Sequence, residues 1–514
     1  MSARANSMAT WQGLTRLARL GGRLVRPPLR VPYTATMLNH HSMPLQLQSY
    51  LVDRCLETRA ADMEKDPQTV QEELEAIHPS VERVTERQPL GLDFSDAHAS
   101  YRDVPTVELL RAAAIMKLAQ YKFISVSGPK LFEYAQKVGG PVASLVNYAT
   151  RKTFFEHFVG GEDMAQCKKR LDRMLRRGVI PILDYSVEFH VSDGASVTGD
   201  MERKYDHTAG VILKTIEDAA SIGMPGFSCV KLTGVARFGL LERVSELLTA
   251  RIPAKMLLDD EVYDGLDTDD LREELLRVEK RIDSLSMAAK TRGLPLLIDA
   301  EHFQVQPAID ALGLTMQLRY NTSERANVFN TIQTYRTAAL DDYRASERLL
   351  SDAGVRFGVK AVRGAYLTYE RRRAEELGYA SPVFATLEAT HASFDAVASA
   401  LILDISRGRA AGVLATHNAN SIQRACENVV LAGLPRDCPD LVFAQLFGMA
   451  DSITVAVNNA GFRAAKYVPF GPLQDVMPYL TRRLEENRDM MSGASREVRL
   501  FMKELRQRDL LPRF

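Results

Sequence analysis

The chain has 514 residues, of which 46% are hydrophobic and 25% charged, and its formal net charge is zero. These values are typical of a globular protein with two or three domains, or one large domain with additions, and the balanced charge gives no support for a nucleic-acid partner. No stretch of 18 or more apolar residues occurs, so no membrane-spanning helix is predicted. The five cysteines are scattered without a CxxC pair, which argues against a disulfide framework or structural zinc site and favours a reducing compartment.

The first 45 residues differ in composition from the rest of the chain. No acidic residue precedes Asp53, and arginines are spaced among Leu, Trp and Ser. The spaced arginines are Arg4, Arg16, Arg19, Arg23, Arg26 and Arg30. An Arg-rich start without acids predicts a mitochondrial transit peptide over 1–45, the alternative being a disordered basic tail.

The next segment, 46–157, is predicted to be a helical arm. Its first part is polar with mixed charges, and a helix with apolar residues at helical spacing begins at Thr106. Two further helical patterns follow at 129–138 and 142–158.

From residue 158 onward, short apolar segments alternate with helical patterns. Strands are predicted at 179–183, 227–233, 296–298, 328–333, 357–362, 412–415, 441–444 and 464–468. Helices are predicted at 162–177, 208–222, 236–292, 338–353, 370–377, 386–408, 420–432, 452–460 and 472–487. Eight strands alternating with helices predict an α/β fold over 158–514, a distorted TIM-type (β/α)8 barrel with a helical insertion at about 236–292. A Rossmann fold is disfavoured, because no GxGxxG follows the first strand.

The stretch 466–487 (KYVPFGPLQDVMPYLTRRLEEN) combines the last strand with a charged helix. Pro472 suits the first turn of that helix, where no backbone donor is needed. Tyr479, Arg482, Arg483 and Glu486 follow at i, i+3, i+4 and i+7, so they share one helix face. Since a guanidinium fork matches a carboxylate, this face predicts a small carboxylate ligand, the alternative being a solvated charged face.

Polar residues follow each predicted strand. They are Asp184 with Glu188, Lys231, Asp299, Gln333, Lys360 with Arg363, His417, Gln445 and Tyr467. The carboxyl ends of barrel strands meet at one rim, so these side chains predict a polar pocket there.

The residue types at this rim restrict its chemistry. A single histidine does not make a hydrolytic metal site, and 415–418 (ATHN) supplies no nucleophile elbow. Two kinds of chemistry remain, a Schiff base on Lys231 or Lys360 and a bound redox cofactor such as a flavin. The residues alone do not choose between them.

Seven motifs resemble the proline dehydrogenase family, in its eukaryotic mitochondrial monofunctional form. They are FVGGED (158–163), ILDYSVE (182–188), LIDAE (297–301), VRGAYLTYER (362–371), ATHN (415–418), QLFGMAD (445–451) and YVPFGPLQDVMPYLTRRLEEN (467–487). The resemblance covers 158–490 in order. It implies an FAD enzyme that oxidises L-proline to Δ1-pyrroline-5-carboxylate, passing a hydride from proline C5 to flavin N5. It also implies electron transfer to ubiquinone, on the matrix side of the mitochondrial inner membrane, with peripheral membrane association.

The resemblance also implies roles for individual residues. Arg482 and Arg483 would clamp the proline carboxylate, with Glu188 holding one of them. The other substrate-site residues would be Lys231, Asp299, Ala300, Leu446, Tyr467 and Tyr479. The FAD would contact Gln333, Lys360, Arg363, Gly364, Ala365, Tyr366, Thr416, His417, Asn418, Gln445 and Glu486. No metal is implied.

Three positions bear on how far the resemblance extends. Lys360 replaces an arginine of the bacterial members, and Leu367 replaces a residue that is often Trp. Tyr467 favours proline, because members that prefer hydroxyproline have a small residue there. Hydroxyproline dehydrogenase therefore stays an alternative, as do a Schiff-base aldolase and a non-catalytic scaffold on the same barrel.

Overall fold

The computed structural model describes residues 90–118, 121–188, 199–250, 256–489 and 491–510, with side chains except at 122–126 and 485–495. The predicted transit peptide lies outside the described residues. The strands, in chain order, are β1 (Ile180–Tyr185), β2 (Phe227–Val230), β3 (Leu296–Ile298), β4 (Val328–Gln333), β5 (Phe357–Val362), β6 (Ala410–Ala415), β7 (Leu441–Leu446) and β8 (Ala464–Phe470).

The eight strands form one closed barrel in which each pairs in parallel with its sequence neighbours. The barrel closes where β8 pairs with β1, with Ile182 opposite Tyr467 and Asp184 opposite Pro469. The α/β class and the eight-stranded barrel predicted from the alternation are thus confirmed. Closure leaves no unpaired sheet edge and brings all eight carboxyl ends to one rim.

Helices precede, connect and follow the strands. Those before the barrel are α1 (Ala97–Tyr101), α2 (Thr106–Leu118), α3 (Lys122–Val138), α4 (Gly140–Thr150), a π-helix (Arg151–Phe155), α5 (Glu156–Phe158) and α6 (Met164–Arg176). Those within and after it are α7 (Gly199–Ser221), a 3₁₀ turn (Leu232–Gly234), α8 (Phe238–Thr249), α9 (Asp260–Asp264), α10 (Asp269–Arg292), α11 (Gln306–Tyr320), α12 (Ala339–Asp352), α13 (Leu367–Leu377), α14 (Leu387–Ser406), α15 (Ala419–Leu431), α16 (Asp451–Asn459), α17 (Met477–Asp489) and α18 (Met491–Gln507).

Several predicted helices have different boundaries in the structure, among them α7, which begins at Gly199 where the prediction began at 208. The last barrel helix, α17, begins at Met477 and not at Pro472. The backbone N–H groups of Asp475 and Val476 both donate to Pro472 O, so this proline initiates a separate turn. Pro478 instead occupies the first turn of α17, where a missing N–H is tolerated. The stretch 236–292 forms α8, α9 and α10, and α10 packs between α7 and α11 against the barrel.

The barrel interior changes from apolar to polar along the strand direction. Ile182, Cys229 and Leu297 fill its lower part and are fully buried. Because side chains alternate along a strand, the inward-facing positions two residues further on are Asp184, Lys231 and Asp299. The same alternation turns residues such as Leu183 and Val468 outward, where they pack against the helices. The pattern places charged side chains inside the barrel only near the carboxyl rim.

The helices before the barrel pack on its last helices. Helices α1 and α2 contact α18, and α3 contacts α17. One buried link is the Tyr101 hydroxyl, which donates to Glu497 at 2.6 Å. None of the helices in the described ranges combines the length and apolar character needed to cross a bilayer.

Candidate active site

The carboxyl end of the barrel interior contains a buried cluster of two lysines, two aspartates and a tyrosine. Lys231 Nζ lies 2.9 and 2.8 Å from the two carboxylate oxygens of Asp184 and 3.4 Å from Asp299 Oδ2. Lys360 Nζ donates to Asp299 Oδ1. The Tyr467 hydroxyl donates to Asp299 Oδ2 at 2.6 Å and lies 3.0 Å from Lys231 Nζ. Three strands, β1, β5 and β8, and the residues directly after β2 and β3 thus meet in one network.

Electrostatics keep Lys231, Lys360 and Asp299 of this network ionised. Burial acts to lower the pKa of Lys231, but the carboxylates of Asp184 and Asp299 outweigh it and raise that pKa. Burial also acts to lower the pKa of Lys360, but the Asp299 carboxylate outweighs it and raises that pKa. Burial acts to raise the pKa of Asp299, but the positive charges of Lys360 and Lys231 outweigh it and keep that pKa below its ordinary value. A Schiff-base lysine must be neutral to attack a carbonyl. The protonated lysines therefore weigh against the aldolase alternative.

The two arginines of α17 have different partners. Arg482 forms a two-point ion pair with Glu188, at 2.8 and 2.5 Å, and its guanidinium lies 5.4 Å from the centre of the Tyr366 ring. Arg483 is almost fully buried, and its guanidinium lies 5.0 Å from the centre of the Tyr479 ring. The aromatic rings and Glu188 fix both guanidinium planes beside the barrel mouth.

The cations of this region lie against carboxylates and aromatic rings. Lys231 pairs with Asp184, Lys360 with Asp299 and Arg482 with Glu188. The two neighbouring guanidiniums of α17 have the planar geometry that suits a carboxylate, which is the kind of ligand predicted from the helix face.

Sequence reasoning missed Glu301 as a site residue, although it ends the LIDAE motif. It accepts hydrogen bonds from the Thr233 backbone N–H at 3.0 Å and from the Thr233 hydroxyl. Burial, followed by the negative charge of Glu188, raises the pKa of Glu301 to about 7. The Glu301 carbonyl in turn accepts from Gln333 Nε2 at 2.7 Å, so this residue orients the predicted cofactor ligand Gln333. Asp184 is predicted from the sequence only as a polar residue at the end of a strand. Its ion pair with Lys231 is apparent only in the folded barrel.

A second group of residues lies around Arg363, just past β5. The guanidinium donates to His391 Nδ1 at 3.2 Å, to Ser421 Oγ at 2.8 Å and to the Thr416 hydroxyl. It also lies 4.4 Å from the centre of the Phe394 ring. Burial lowers the pKa of Arg363 to about 10 against the opposing charge of Asp395. A half-buried guanidinium whose described hydrogen-bond partners are uncharged favours an anionic ligand.

The N-terminus of α15 lies beside Arg363. Asn418 caps this helix, its side chain accepting from the N–H groups of Asn420 and Ser421 at 3.0 and 3.1 Å. A helix N-terminus favours phosphate groups. Together with the amide of Gln333 and the amine of Lys360, the donor set fits the diphosphate and the flavin carbonyls of FAD.

Gly364 adds a backbone requirement at the same place. Its φ is +124°, and a Cβ atom there would lie 2.5 Å from the Tyr335 ring. Only glycine accommodates both the conformation and the close ring. The conformation directs the chain from β5 to α13, with Tyr366 preceding the helix as its N-cap residue.

Two predicted cofactor residues have structural partners of their own. Gln445 is directed to α16, where its side-chain oxygen accepts from the Thr454 hydroxyl at 2.8 Å. His417 Nε2 accepts from the Leu446 N–H at 3.0 Å. Burial and then the positive charges of Lys466, Arg483 and Arg363 lower the pKa of His417 to about 3, so the ring is neutral.

The remaining predicted residues are Ala300, Leu446, Ala365 and Glu486. Ala300 and Leu446 are half-buried at the ends of β3 and β7, and Ala365 is exposed before α13. The side chain of Glu486 lies outside the described residues. A cavity of about 150 Å³ lies outside the barrel, lined among others by Leu109, Arg170, Phe447 and Lys466, and it includes none of the predicted site residues.

Comparisons with known proteins identify the family. The family model described as proline dehydrogenase matches residues 167–496. The chain is 32% identical to "Proline dehydrogenase 2, mitochondrial" of Arabidopsis thaliana over 82% of this chain and 91% of that protein. It is 29% identical to hydroxyproline dehydrogenase of Bos taurus over 82% of this chain and 94% of that protein.

A solved structure supports the fold. The crystal structure of proline utilization A from Bdellovibrio bacteriovorus superposes with a TM-score of 0.55 at 16% identity, over 86% of this chain. The chain spans about two fifths of that longer protein, with 41% covered. The motif-based family prediction is thus confirmed, and the chain belongs to the proline dehydrogenase family of oxidoreductases.

Proposed function

We propose that this protein oxidises L-proline to Δ1-pyrroline-5-carboxylate with bound FAD and passes the electrons to ubiquinone. The observation that carries the proposal is the polar end of the barrel interior, where buried lysines, aspartates and Tyr467 lie beside the two arginines of α17. When bound, FAD supplies the acceptor for the two electrons and the hydrogen removed from C5. The residues Gln333, Lys360, Arg363 and Thr416 would hold it.

The arginines position the substrate. Arg482 already holds one carboxylate, that of Glu188, through two parallel contacts. The substrate carboxylate would bind at Arg482 and Arg483, while Glu188 and Tyr366 keep the Arg482 plane fixed. Fixing the carboxylate end of a five-membered ring also fixes the direction in which its C5–H bond points.

Burial of the site would also act on the substrate amine. Loss of hydride from C5 produces a C=N bond, which requires the nitrogen lone pair. Lys231 and Lys360 are each paired with an aspartate, so removal of the amine from water, which disfavours its charged form, would lower its pKa. The reactive free amine would then form without a dedicated general base.

Hydroxyproline oxidation is the second candidate, favoured by the similarity to the bovine hydroxyproline dehydrogenase. Tyr467 bears on the choice, because its ring lies in the barrel interior 5.6 Å from Lys231 Nζ and 5.3 Å from Lys360 Nζ. A ring in that position restricts the space for a hydroxyl on the substrate. We therefore propose proline as the preferred substrate.

The chain organisation completes the proposal. Residues 1–45 would direct the protein to the mitochondrion, as the names of the similar plant proteins favour. Residues 46–157 would form an arm and 158–514 the catalytic barrel. Sequencing the N-terminus of the protein recovered from mitochondria tests the first assignment, and an intact Met1 would contradict it.

The central test is the anaerobic absorbance spectrum of the protein from about residue 45 onward, before and after addition of L-proline. We expect a flavin spectrum that bleaches with proline. The double variant Arg482→Met/Arg483→Met should keep the flavin and bleach at least 100-fold more slowly, because the carboxylate contacts are lost. Arg499→Met, which removes an exposed arginine of α18, is the matched control. A flavin that bleaches only with hydroxyproline, or a protein without flavin after expression with FAD, would overturn the proposal.

A further inference from the structure

Exposed large apolar side chains are concentrated in the helices before the barrel. Of the seventeen such side chains in the described residues, ten lie between Val107 and Tyr148. They are Val107, Leu110, Leu118, Tyr121, Leu131, Tyr134, Val138, Val142, Leu145 and Tyr148. A concentration of this kind marks an interaction surface and differs from the single exposed apolar residues found on most proteins.

These side chains repeat at helical spacing in the hairpin of α3 and α4. In α3 they are Leu131, Tyr134 and Val138, at i, i+3 and i+7. In α4 they are Val142, Leu145 and Tyr148, at i, i+3 and i+6, with Leu145 70% exposed. Each helix therefore presents one apolar stripe.

The described chain does not cover these stripes. Helix α3 buries Phe132 and Ala135 and packs against α17, which accounts for its other side. Helix α4 packs on α3, where Gln136 Nε2 donates to Asn147 Oδ1 at 2.8 Å, and no residue of α4 is buried. The hairpin thus projects two apolar stripes from a barrel that is otherwise closed and well packed.

The charge of the hairpin is mainly basic. Residues 122–150 contain Lys122, Lys130 and Lys137 and one acidic residue, Glu133, although the whole chain has equal numbers of each sign. Lys130 and Lys137 flank the stripe of α3 and are exposed, with no acidic partner within 4 Å among the described residues. Tyrosines at the edge of an apolar surface and lysines that extend from it match the boundary between lipid headgroups and acyl chains.

We propose that the α3–α4 hairpin is the surface by which this protein lies on an anionic phospholipid bilayer. The apolar stripes would enter the headgroup region, and the lysines would contact lipid phosphates. A symmetric contact between two copies is disfavoured, because it would bring two basic surfaces together. The inference rests on the proposed function, because the proposed electron acceptor, ubiquinone, is dissolved in a membrane.

The test is co-sedimentation of the full chain with vesicles. One vesicle set is phosphatidylcholine with one third phosphatidylglycerol, and the other is phosphatidylcholine alone. The hairpin variant replaces Tyr134, Val138, Leu145 and Tyr148 by Gln, and the matched control replaces Ile222, Leu276, Leu377 and Leu387 by Gln. All eight side chains are exposed and apolar. We expect at least tenfold weaker binding to the anionic vesicles for the hairpin variant, and wild-type binding for the control.

Several outcomes would overturn the proposal. They are equal binding of wild type and hairpin variant, equal binding to both vesicle sets, and a change of oligomeric state in the hairpin variant without a change in vesicle binding.

If the hairpin variant does not fold, the single substitution Tyr148→Trp serves instead. Its fluorescence should shift to shorter wavelength only with anionic vesicles, and an unchanged spectrum would contradict the proposal. Turnover of proline with a soluble dye needs no membrane, so failure of the proposed function and failure of membrane binding are separate results.

Discussion

Arg482 and Glu188 join the two ends of the barrel sequence by a two-point ion pair, with N–O distances of 2.8 and 2.5 Å. Glu188 follows β1, the first strand, and Arg482 lies in α17, after the last. Both side chains are largely buried, so the contact is shielded from solvent and holds α17 at the barrel mouth. The pair therefore links closure of the barrel to the position of the residue that we propose binds the substrate carboxylate.

Arg482→Lys should weaken proline binding more than it slows the reaction. A lysine retains the charge but cannot make two parallel contacts to a carboxylate. We expect the KM for proline to rise at least tenfold with a smaller change in kcat, measured with a soluble dye as electron acceptor. Arg499→Lys should leave both constants unchanged. An unaltered KM in Arg482→Lys would exclude the proposed role.

Tyr467→Ser should shift substrate preference toward hydroxyproline. The smaller side chain opens space in the barrel interior where the tyrosine ring now lies between two lysines. We expect the ratio of kcat/KM for hydroxyproline to that for proline to increase at least tenfold. Tyr467→Phe keeps the ring and removes only the hydroxyl, so its ratio should stay near that of the wild type. Equal ratios in all three proteins would refute the steric argument.

Asp299→Asn should destabilise the fold. Asp299 pairs with Lys360 and accepts from Tyr467, and its loss leaves Lys360 buried without a carboxylate. Breaking one side of a buried ion pair costs about 3–5 kcal/mol in the free energy of unfolding. Urea denaturation measures the loss. Adding Lys360→Met to Asp299→Asn removes the unpaired charge and should recover part of the stability, and a double variant less stable than the single one would contradict this account.

Glu301 should make stability depend on pH. Its pKa is raised from 4.5 to about 7 by burial and by Glu188, so the folded state binds the proton more tightly than the unfolded state does. The resulting stabilisation is complete below about pH 4.5 and is lost as pH rises through about 7.

Glu301→Gln removes this titration. Relative to that variant, the free energy of unfolding of the wild type should fall by about 2–3 kcal/mol between pH 5 and pH 8. Urea denaturation across this range measures the difference, with Glu133→Gln on the exposed side of α3 as control. If the wild-type and Glu301→Gln curves are parallel, Glu301 does not titrate in this range.

The amino-acid pattern is enough to predict the barrel and the family. Strand and helix periodicity arises from local geometry, so the predicted boundaries of β3, β4 and β5 agree with the observed ones. The motifs at the strand ends indicate the proline dehydrogenase family. The residues of the rim, among them Lys231, Asp299 and Lys360, were also predicted, because parallel strands place their carboxyl ends together.

Which of these residues interact becomes apparent only in the folded barrel. The pairing of Lys231 with Asp184, the direction of Gln445 toward α16 and the role of Glu301 beneath Gln333 depend on barrel closure and on side-chain directions across the rim. The start of α17 at Met477 does not follow from the sequence, because Pro472 and Pro478 both suit the first turn of a helix by local preference. The apolar stripes of α3 and α4 follow the same pattern as core-facing helices, and solvent exposure alone distinguishes them, because exposure is a property of the packed chain.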